Sequence, residues 1–180
     1  MDEQDVILVN EHDEAIGVMD KLEVHKTGLL HRAFSIFIFD SKGRMLLQQR
    51  SEKKYHGALL WTNACCSHPH PGEDVTAAAQ RRLKEEMGFE TSLKKVFVFT
   101  YHAHVENNLI EHEFDHVFTG EYENEIHPNK NEVADYEYKD LEEVRSLLQQ
   151  HPQQFTSWFK IALPEIEKWW VEKYAMSNGQ

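Results

Sequence analysis

The segment Val75–Met87 is the clearest helix in the chain, and it lies between segments that favour β-strands. Its apolar residues recur at the spacing of one helical face. Asp74 can accept hydrogen bonds from free backbone N–H groups of the first turn, and Gly88 can end the helix in a left-handed conformation. Because a helix with one apolar face must pack against another layer, the strands on either side are expected to form a sheet beneath it.

Alternating, β-branched and aromatic residues predict strands through the first two thirds of the chain. These strands cover residues 6–9, 15–19, 32–39, 44–50, 59–66, 95–104, 109–122 and 133–139. The segment 23–31 is interpreted as irregular. Two more helices are predicted at 141–150 and 155–174, with a kink at Pro164. Strands followed by helices, with no repeat or linker, indicate one α+β domain over residues 1–180.

Charge and composition exclude several classes of function. Asp and Glu outnumber Lys and Arg by 31 to 19, which gives a formal net charge of −12. This excess argues against a general nucleic-acid binder, although a few local cations can still bind a small phosphorylated ligand. No apolar stretch approaches the roughly 18 residues that span a bilayer, and the acidic N-terminus does not resemble a secretory signal. Neither membrane insertion nor export is expected.

The two cysteines, Cys65 and Cys66, are adjacent, so they cannot join distant parts of the fold through an ordinary disulfide. Free thiols suit a reducing compartment, and a cytoplasmic location is therefore predicted. His68 follows two residues after Cys66, and this pair suggests a reactive thiol and a metal-ligating imidazole. Cys65 is interpreted as a small core residue.

Charged residues interrupt the apolar face of the central helix. Arg82 and Glu86 fall in the middle of the arc formed by its apolar side chains, one turn apart. One interpretation is a partly buried ion pair that only ties the helix to the sheet. The other is that Glu86 faces a metal ion and Arg82 faces an anion. Periodicity alone leaves both interpretations open.

The segment 111–116 alternates with a period of two. As a strand it places Glu111, Glu113 and Asp115 on one face, with successive carboxylates about 7 Å apart. That spacing allows two carboxylates to hold one cation. The same alternation is also typical of an exposed edge strand, where charges discourage aggregation. Taken by itself, the pattern favours the exposed edge.

The central helix and the loop before it resemble a degenerate Nudix box, a loop–helix–loop that binds metal and diphosphate. Its residues are Ser67-x5-Glu73-x7-Arg81-Arg82-Leu83-Lys84-Glu85-Glu86-Met87-Gly88-Phe89. Ser67 replaces the usual first Gly, and Arg82 stands where the hydrolases carry a Glu. The flanking segments are more specific and resemble the type I isopentenyl diphosphate Δ-isomerases. These segments are Trp61-Thr62-Asn63-Ala64-Cys65-Cys66-Ser67-His68-Pro69, Tyr101-His102-Ala103 and Glu111-His112-Glu113.

The resemblance runs from about Asp5 to Trp158 and implies a Nudix-like mixed β-sheet flanked by helices, with an N-terminal strand extension. The core would lie at about 30–150 and a C-terminal helical lid at about 155–174. Two metal sites are implied. The first holds Mn²⁺ or Mg²⁺, with Zn²⁺ as a further candidate, on His25, His31, His68, Glu111 and Glu113. In the second, a Mg²⁺ that bridges the diphosphate is held by Glu86 and the backbone carbonyl of Cys66.

The same resemblance implies conversion of isopentenyl diphosphate to dimethylallyl diphosphate. Protonation of an unactivated double bond gives a tertiary carbocation, which then loses another proton. Two acid/base groups are needed on opposite faces of a dry pocket, and Cys66 and Glu113 are the candidates. Tyr101 is expected to hydrogen-bond one of them, and the ring of Trp158 to stabilise the cation by about 2 kcal/mol. The diphosphate-binding positions are Lys21, Arg50, Lys54 and Arg82, with Lys53 as the alternative to Lys54.

Two other functions compete with the isomerase. A Nudix hydrolase of a nucleoside diphosphate derivative needs clustered helix carboxylates around Mg²⁺ to activate water, and Arg82 at a carboxylate position weakens that alternative. It would also leave Cys66 and His68 without roles. A catalytically silent binding module would lack some of the ligands, yet every matched position is filled. The prediction is therefore an isomerase that acts on a small-molecule diphosphate as a monomer or homodimer.

Overall fold

The computed structural model describes residues 4–177, and within them a mixed sheet is flanked by helices. The strands are β1 (Asp5–Val9), β2 (Ala15–Asp20), β3 (His31–Phe39), β4 (Met45–Arg50), β5 (Trp61–Thr62), β6 (Cys65–Ser67), β7 (Lys94–Val105), β8 (Leu109–Glu121) and β9 (Val133–Lys139). The helices are α1 (Lys21–Thr27), α2 (Val75–Met87), α3 (Leu141–Gln150) and α4 (Ser157–Ser177). This architecture confirms the predicted α+β class. The assignment of residues 1–180 to one domain stays a prediction, and its first and last three residues lie outside the described ones.

Strand β3 is the centre of the sheet. It pairs in parallel with β8 along its whole length, from His31 opposite Glu113 to Phe39 opposite Glu121. Its other edge pairs antiparallel with β6, and its two ends meet β1 and β4. β7 and β8 form a long antiparallel hairpin, and β4 also pairs with β5 and β9. The hairpin of β1 and β2 extends the sheet at the N-terminal side, as predicted.

The alternation of side chains along β3 divides the core into two layers. The layer beneath α2 contains Phe34, Ile36, Ile38, Leu83 and Met87. The layer beneath α3 and α4 contains Phe37, Phe39, Phe155, Phe159, Leu163 and Ile166. Because helices cover both faces, β3 is a nearly continuous apolar run rather than a strand with one polar face.

The predicted helices agree with the structure more closely than the predicted strands. Helices α2 and α3 have the predicted bounds. The last helix begins at Ser157 rather than at 155, and it continues through Pro164 to Ser177. Among the described residues, no helix combines the length and apolar character needed to cross a membrane.

The prediction of an irregular segment at 23–31 is wrong, because most of helix α1 lies there. Asp20 accepts hydrogen bonds from the backbone N–H groups of Leu22 and Glu23, at 2.9 and 3.1 Å. Gly28 ends the helix in a left-handed conformation. Seven residues make only about two turns, which is too short for an apolar period to be visible in the sequence.

The single strand predicted at 59–66 is also wrong, since two short strands form there. β5 pairs with β4, whereas β6 pairs with β3. Asn63, between them, is fully buried, and its side-chain amide donates to the carbonyl oxygens of Ile36 and Cys65 at 2.9 and 3.0 Å. This anchor turns the chain from one strand partner to the other and sets Cys66 opposite Ser35.

The end of α2 gives a testable prediction about stability. Gly88 has φ +77°, and a Cβ placed there would overlap the backbone carbonyl of His127. We expect Gly88→Ala to lower the free energy of unfolding by about 3 kcal/mol, from the left-handed backbone and the overlap together. Gly72 has φ +80° but open space around it, so Gly72→Ala should lose only about 1–2 kcal/mol. Urea unfolding measures both variants, and equal losses would contradict the role given to His127.

Candidate active site

The predicted metal ligands come together from separate parts of the fold. His31 begins β3, and the parallel pairing of β3 with β8 sets His31 directly beside Glu113. Helix α1 contributes His25, and the chain just after β6 contributes His68. The nitrogen and oxygen donors of His25, His31, His68 and Glu113 all lie within 4.8 Å of one another. The fold therefore gathers side chains that are up to 88 positions apart in the sequence.

Glu113 is the centre of these contacts. Its Oε1 lies 3.0 Å from His68 Nε2, 3.4 Å from His31 Nε2 and 3.9 Å from His25 Nε2. Glu111 Oε1 lies 3.5 Å from His25 Nε2. Donor atoms about 3 to 4 Å apart can share one divalent cation, since metal–ligand bonds are about 2.1 Å long.

The hydrogen bonds of two of these histidines leave the same ring nitrogen available. His25 Nδ1 lies 2.5 Å from the carbonyl oxygen of Lys21, and His31 Nδ1 lies 2.9 Å from that of Leu29. A ring N–H that donates to a carbonyl leaves the lone pair of the other nitrogen for a metal. His31 Nε2 is buried and has no hydrogen-bond partner among the described residues. The cluster therefore fits a divalent cation.

The acidic segment of β8 is not an exposed edge, and the interpretation favoured by its alternation alone is wrong. β8 lies between β3 and β7, so it has neighbours on both sides. Glu111, Glu113 and Asp115 are 3%, 7% and 1% exposed. Three acidic side chains on one buried face need cations or protons to balance their charge.

The two neighbouring carboxylates have different proton affinities. Burial, followed by the charge of Glu113, raises the pKa of Glu111 to about 7. Burial acts in the same direction on Glu113, but His68, His25 and His31 outweigh it and hold the pKa of Glu113 well below its usual range. Glu113 is therefore the carboxylate that stays ionised.

Cys66 lines the cavity from β6 and is held there as a thiol. Its Sγ lies 3.1 Å from Asn63 Oδ1 and 3.3 Å from Ser35 Oγ. Because the Asn63 nitrogen already donates to two carbonyls, its oxygen must face Cys66, and that oxygen can only accept. The sulfur therefore carries the proton. Burial and then the charge of Asp115 raise the pKa of the Cys66 thiol above its usual range.

Tyr101 and Trp158 complete the inner walls of the cavity. Tyr101 lies opposite Glu113 in the register of β7 and β8, and its hydroxyl donates to Glu113 Oε2 at 2.9 Å. Of its two predicted partners, Tyr101 therefore contacts the carboxylate. Trp158 is 5% exposed, and its ring lies 5.1 Å from the guanidinium carbon of Arg50. Part of the Trp158 ring thus already faces a cation.

Several basic side chains line the cavity. The cavity measures about 600 Å³, and its lining includes Lys21, Arg50, Lys53, Lys54 and Arg82. Burial, followed by the charge of Lys54, lowers the pKa of Lys21. Lys54 pairs with Glu132, whereas the exposed Lys53 donates to Asn131 Oδ1 at 2.6 Å.

For the charged pair in α2 the structure confirms the ion pair, whereas a metal ion at Glu86 and an anion at Arg82 stay predictions. Arg82 Nη2 donates to Glu86 Oε1 at 2.6 Å, so the ion pair exists. Both side chains also line the cavity, together with Cys66. The second oxygen of Glu86 accepts a hydrogen bond from Gln48 Nε2 at 3.0 Å, and the same amide donates to the carbonyl of Ala64 at 2.6 Å. Glu86 is therefore held in place from two sides.

Two residues of this site were not predicted from the sequence. His56 is 7% exposed, and its Nε2 lies 3.1 Å from Glu111 Oε1. Gln48 is 2% exposed and positions Glu86. A polar residue directly after the buried run Met45, Leu46 and Leu47 was the signal for Gln48. For His56 the only indication in the sequence was weaker. It lies two residues after Lys54, which was a predicted diphosphate-binding residue.

Comparison with known proteins assigns the family. The NUDIX domain profile matches residues 29–159. Isopentenyl-diphosphate Delta-isomerase 2 of Photorhabdus laumondii is 51% identical over 169 residues, covering 91% of this chain and 96% of the relative. The chain belongs to the isopentenyl-diphosphate Delta-isomerase family. The isopentenyl-diphosphate Delta-isomerase of Serratia proteamaculans is 49% identical over 174 residues, covering 94% of this chain and 97% of that relative.

Solved structures show that this isomerase family member shares its fold with NUDIX proteins of other names. A MutT protein from Methanosarcina mazei has a TM-score of 0.60 at 18% identity, covering 84% of this chain and 96% of that chain. A MutT NUDIX hydrolase from Burkholderia pseudomallei has a TM-score of 0.59 at 20% identity, covering 75% and 96%. At these identities the likeness concerns the fold alone. The predicted Nudix-like fold is confirmed.

Proposed function

We propose that this isomerase family member converts isopentenyl diphosphate to dimethylallyl diphosphate. The single observation that carries the proposal is that one cavity is lined by the thiol of Cys66, which lies 3.1 Å from Asn63 Oδ1, and by the carboxylate of Glu113. Moving a double bond by one position requires one proton to be added and another to be removed. A thiol and a carboxylate supply one protonated and one unprotonated group, which is the combination that the reaction needs.

The basic side chains of the cavity would hold the diphosphate. Lys21, Arg50, Lys54 and Arg82 place four cations in the cavity lining, where local charges can bind an anion despite the acidic net charge. Guanidinium groups bind phosphate oxygens through paired hydrogen bonds, and lysines act as point charges. A Mg²⁺ that bridges the diphosphate would be held by Glu86 and the backbone carbonyl of Cys66. The hydrocarbon end would then lie deeper, between Cys66, Tyr101 and Trp158.

The inner walls would protect the charged intermediate. Protonation of the terminal carbon leaves a tertiary carbocation, and the ring of Trp158 can stabilise it through its π-electrons. Tyr101 fixes the orientation of Glu113 through its hydroxyl. A divalent ion on His25, His31, His68, Glu111 and Glu113 would supply the positive charge that sets the proton affinity of Glu113. Burial of these groups excludes water that would otherwise capture the cation.

The hydrolase alternative has less support. Its helix carboxylates would have to cluster around Mg²⁺ and a water molecule. In α2, Glu85 and Glu86 both accept hydrogen bonds from Arg82, at 2.6 Å each, so a guanidinium already engages them. Cytoplasmic location and the choice between monomer and homodimer stay predictions from the sequence.

Incubation with isopentenyl diphosphate and Mg²⁺ in D₂O, followed by NMR, tests the proposed function. We expect dimethylallyl diphosphate that carries deuterium at the new methyl group. Protein from which divalent ions have been removed serves as the control and should leave the substrate unchanged. Unchanged substrate with the metal-loaded protein, together with cleavage of nucleoside diphosphate derivatives, would favour the hydrolase instead.

Arg82→Ala should mainly weaken substrate binding. We expect KM to rise by about 10-fold or more with a smaller change in kcat, since a charge-assisted hydrogen bond contributes about 1.5–3 kcal/mol. Steady-state kinetics measures both constants. Arg81→Ala in the same helix is the comparison, because the Arg81 guanidinium is engaged with Glu73 at 2.7 and 2.9 Å and with Glu85 at 3.3 Å. Equal KM values for wild type and Arg82→Ala would show that Arg82 does not bind the substrate and has only a structural role.

A further inference from the structure

His56 lies beside the metal cluster, although the sequence comparison with the isomerases gave it no role. Its Nε2 is 3.1 Å from Glu111 Oε1, and the side chain is 7% exposed. The donor atoms of His25, His56 and Glu111 all lie within 4.8 Å of one another. These three residues form a second donor group, which shares His25 with the group of His25, His31, His68 and Glu113.

His56 reaches the rest of the cluster through Glu111 and His25. These three residues form the second donor group, in which His25 Nε2 is 3.5 Å from Glu111 Oε1. Two donors that bind one ion at right angles with bonds of about 2.1 Å lie about 3 Å apart. The separation of 3.1 Å between His56 and Glu111 matches that value. A metal ion that is bound by Glu111 is therefore also within reach of His56.

The backbone around His56 is held on both sides, so the imidazole does not depend on a mobile loop. Arg50 Nη2 donates to the carbonyl oxygen of His56 at 3.1 Å. The backbone N–H of Gly57 donates to Glu106 Oε2 at 3.1 Å, and Asn107 Nδ2 donates to the carbonyl of Tyr55 at 2.9 Å. Because the donor is already held in position before the metal binds, less free energy is lost in ordering the site.

We propose that His56 is a sixth protein ligand of the metal ion. With it, the cluster offers four imidazoles and two carboxylates, a complete octahedral shell without water. Imidazole-rich sets favour transition metals over Mg²⁺, so the expected ion is Mn²⁺ or a similar metal. The inference rests on the proposed function only in treating the cluster as a metal site. With six protein ligands, this ion would be closed to solvent and would act through its charge.

The test uses the metal-free protein with one equivalent of Mn²⁺ and no substrate. Pulsed electron paramagnetic resonance counts the histidine nitrogens bound to Mn²⁺, and water proton relaxation counts the bound water molecules. The variants are His56→Leu and, as a control, His102→Leu, whose imidazole is exposed on β7. We expect four nitrogens and no water in wild type and in the control. His56→Leu should show three nitrogens, one water and an affinity for Mn²⁺ that is lower by about 10–100-fold.

Three nitrogens in wild type would overturn the proposal. A loss of affinity in His56→Leu without a change in the nitrogen count would overturn it too, because His56 would then act only by positioning Glu111. If His56→Leu fails to fold, the nitrogen count of the wild-type protein decides alone. Turnover of isopentenyl diphosphate by wild type is measured separately. Four nitrogens without turnover would support the sixth ligand and reject the proposed function.

Discussion

Replacing Cys66 with alanine is expected to lower kcat by about 10³-fold or more, while the substrate still binds. The thiol proton points at the acceptor oxygen of Asn63 at the cavity wall, and alanine has no proton to exchange there. Lys21 and Arg82, which we propose bind the diphosphate, are unchanged in this variant. Turnover is measured by NMR in D₂O, and binding of isopentenyl diphosphate by calorimetry.

Cys65→Ala is the matched control for this loss. Cys65 is the neighbouring residue, but it is fully buried in the layer beneath α2. The same chemical change should there leave kcat near the wild-type value and lower the free energy of unfolding by about 1 kcal/mol. Equal inactivity of both variants would indicate a damaged fold. Turnover at the wild-type rate by Cys66→Ala would remove Cys66 from the mechanism.

Glu113→Gln should cause the second large loss, because this carboxylate has two tasks. It contacts His68, His31 and His25 in the cluster, and an amide cannot replace its charge. The affinity for Mn²⁺ should therefore fall by about 10–100-fold. At saturating Mn²⁺, kcat should still be lower by about 10³-fold, because an amide is not a useful proton acceptor. Metal titration followed by turnover at saturating metal separates the two effects.

Glu121→Gln is the control for Glu113→Gln, since it makes the same change at the far end of β8. The Glu121 side chain is 71% exposed, and its Oε1 lies 3.5 Å from the Lys173 ammonium group. We expect wild-type metal affinity and turnover. Full activity of Glu113→Gln would show that Glu111 and Glu113 have only a structural role in the sheet.

Local signals predicted most of the fold. Asp74 and Gly88 gave the bounds of α2, because capping and left-handed termination depend on a few neighbouring residues. The buried run of β3 was visible as a continuous apolar segment. The errors occurred where the signal was too short. Helix α1 has seven residues, and β5 and β6 have two and three.

The metal ligands were predicted through resemblance to the isomerase family and could not be derived from their spacing. His25 and His31 are too irregularly placed to form a motif, and the acidic alternation of β8 taken alone favoured an exposed edge. Resemblance also could not assign His56, because the sequence around Tyr55 departs from the family pattern. The contact between His56 and Glu111 was visible only after folding.

The sequence by itself determined the elements with strong local patterns, the acid excess, the free cysteines and, through its motifs, the family. Only the tertiary structure decided that the carboxylates of β8 are buried, that Cys66 holds its proton, and that His56 reaches the cluster. The physical reason is that burial and proton affinity depend on neighbours that are distant in the chain. Pairing β3 with β8 places His31 beside Glu113, and no local pattern encodes which strands will pair.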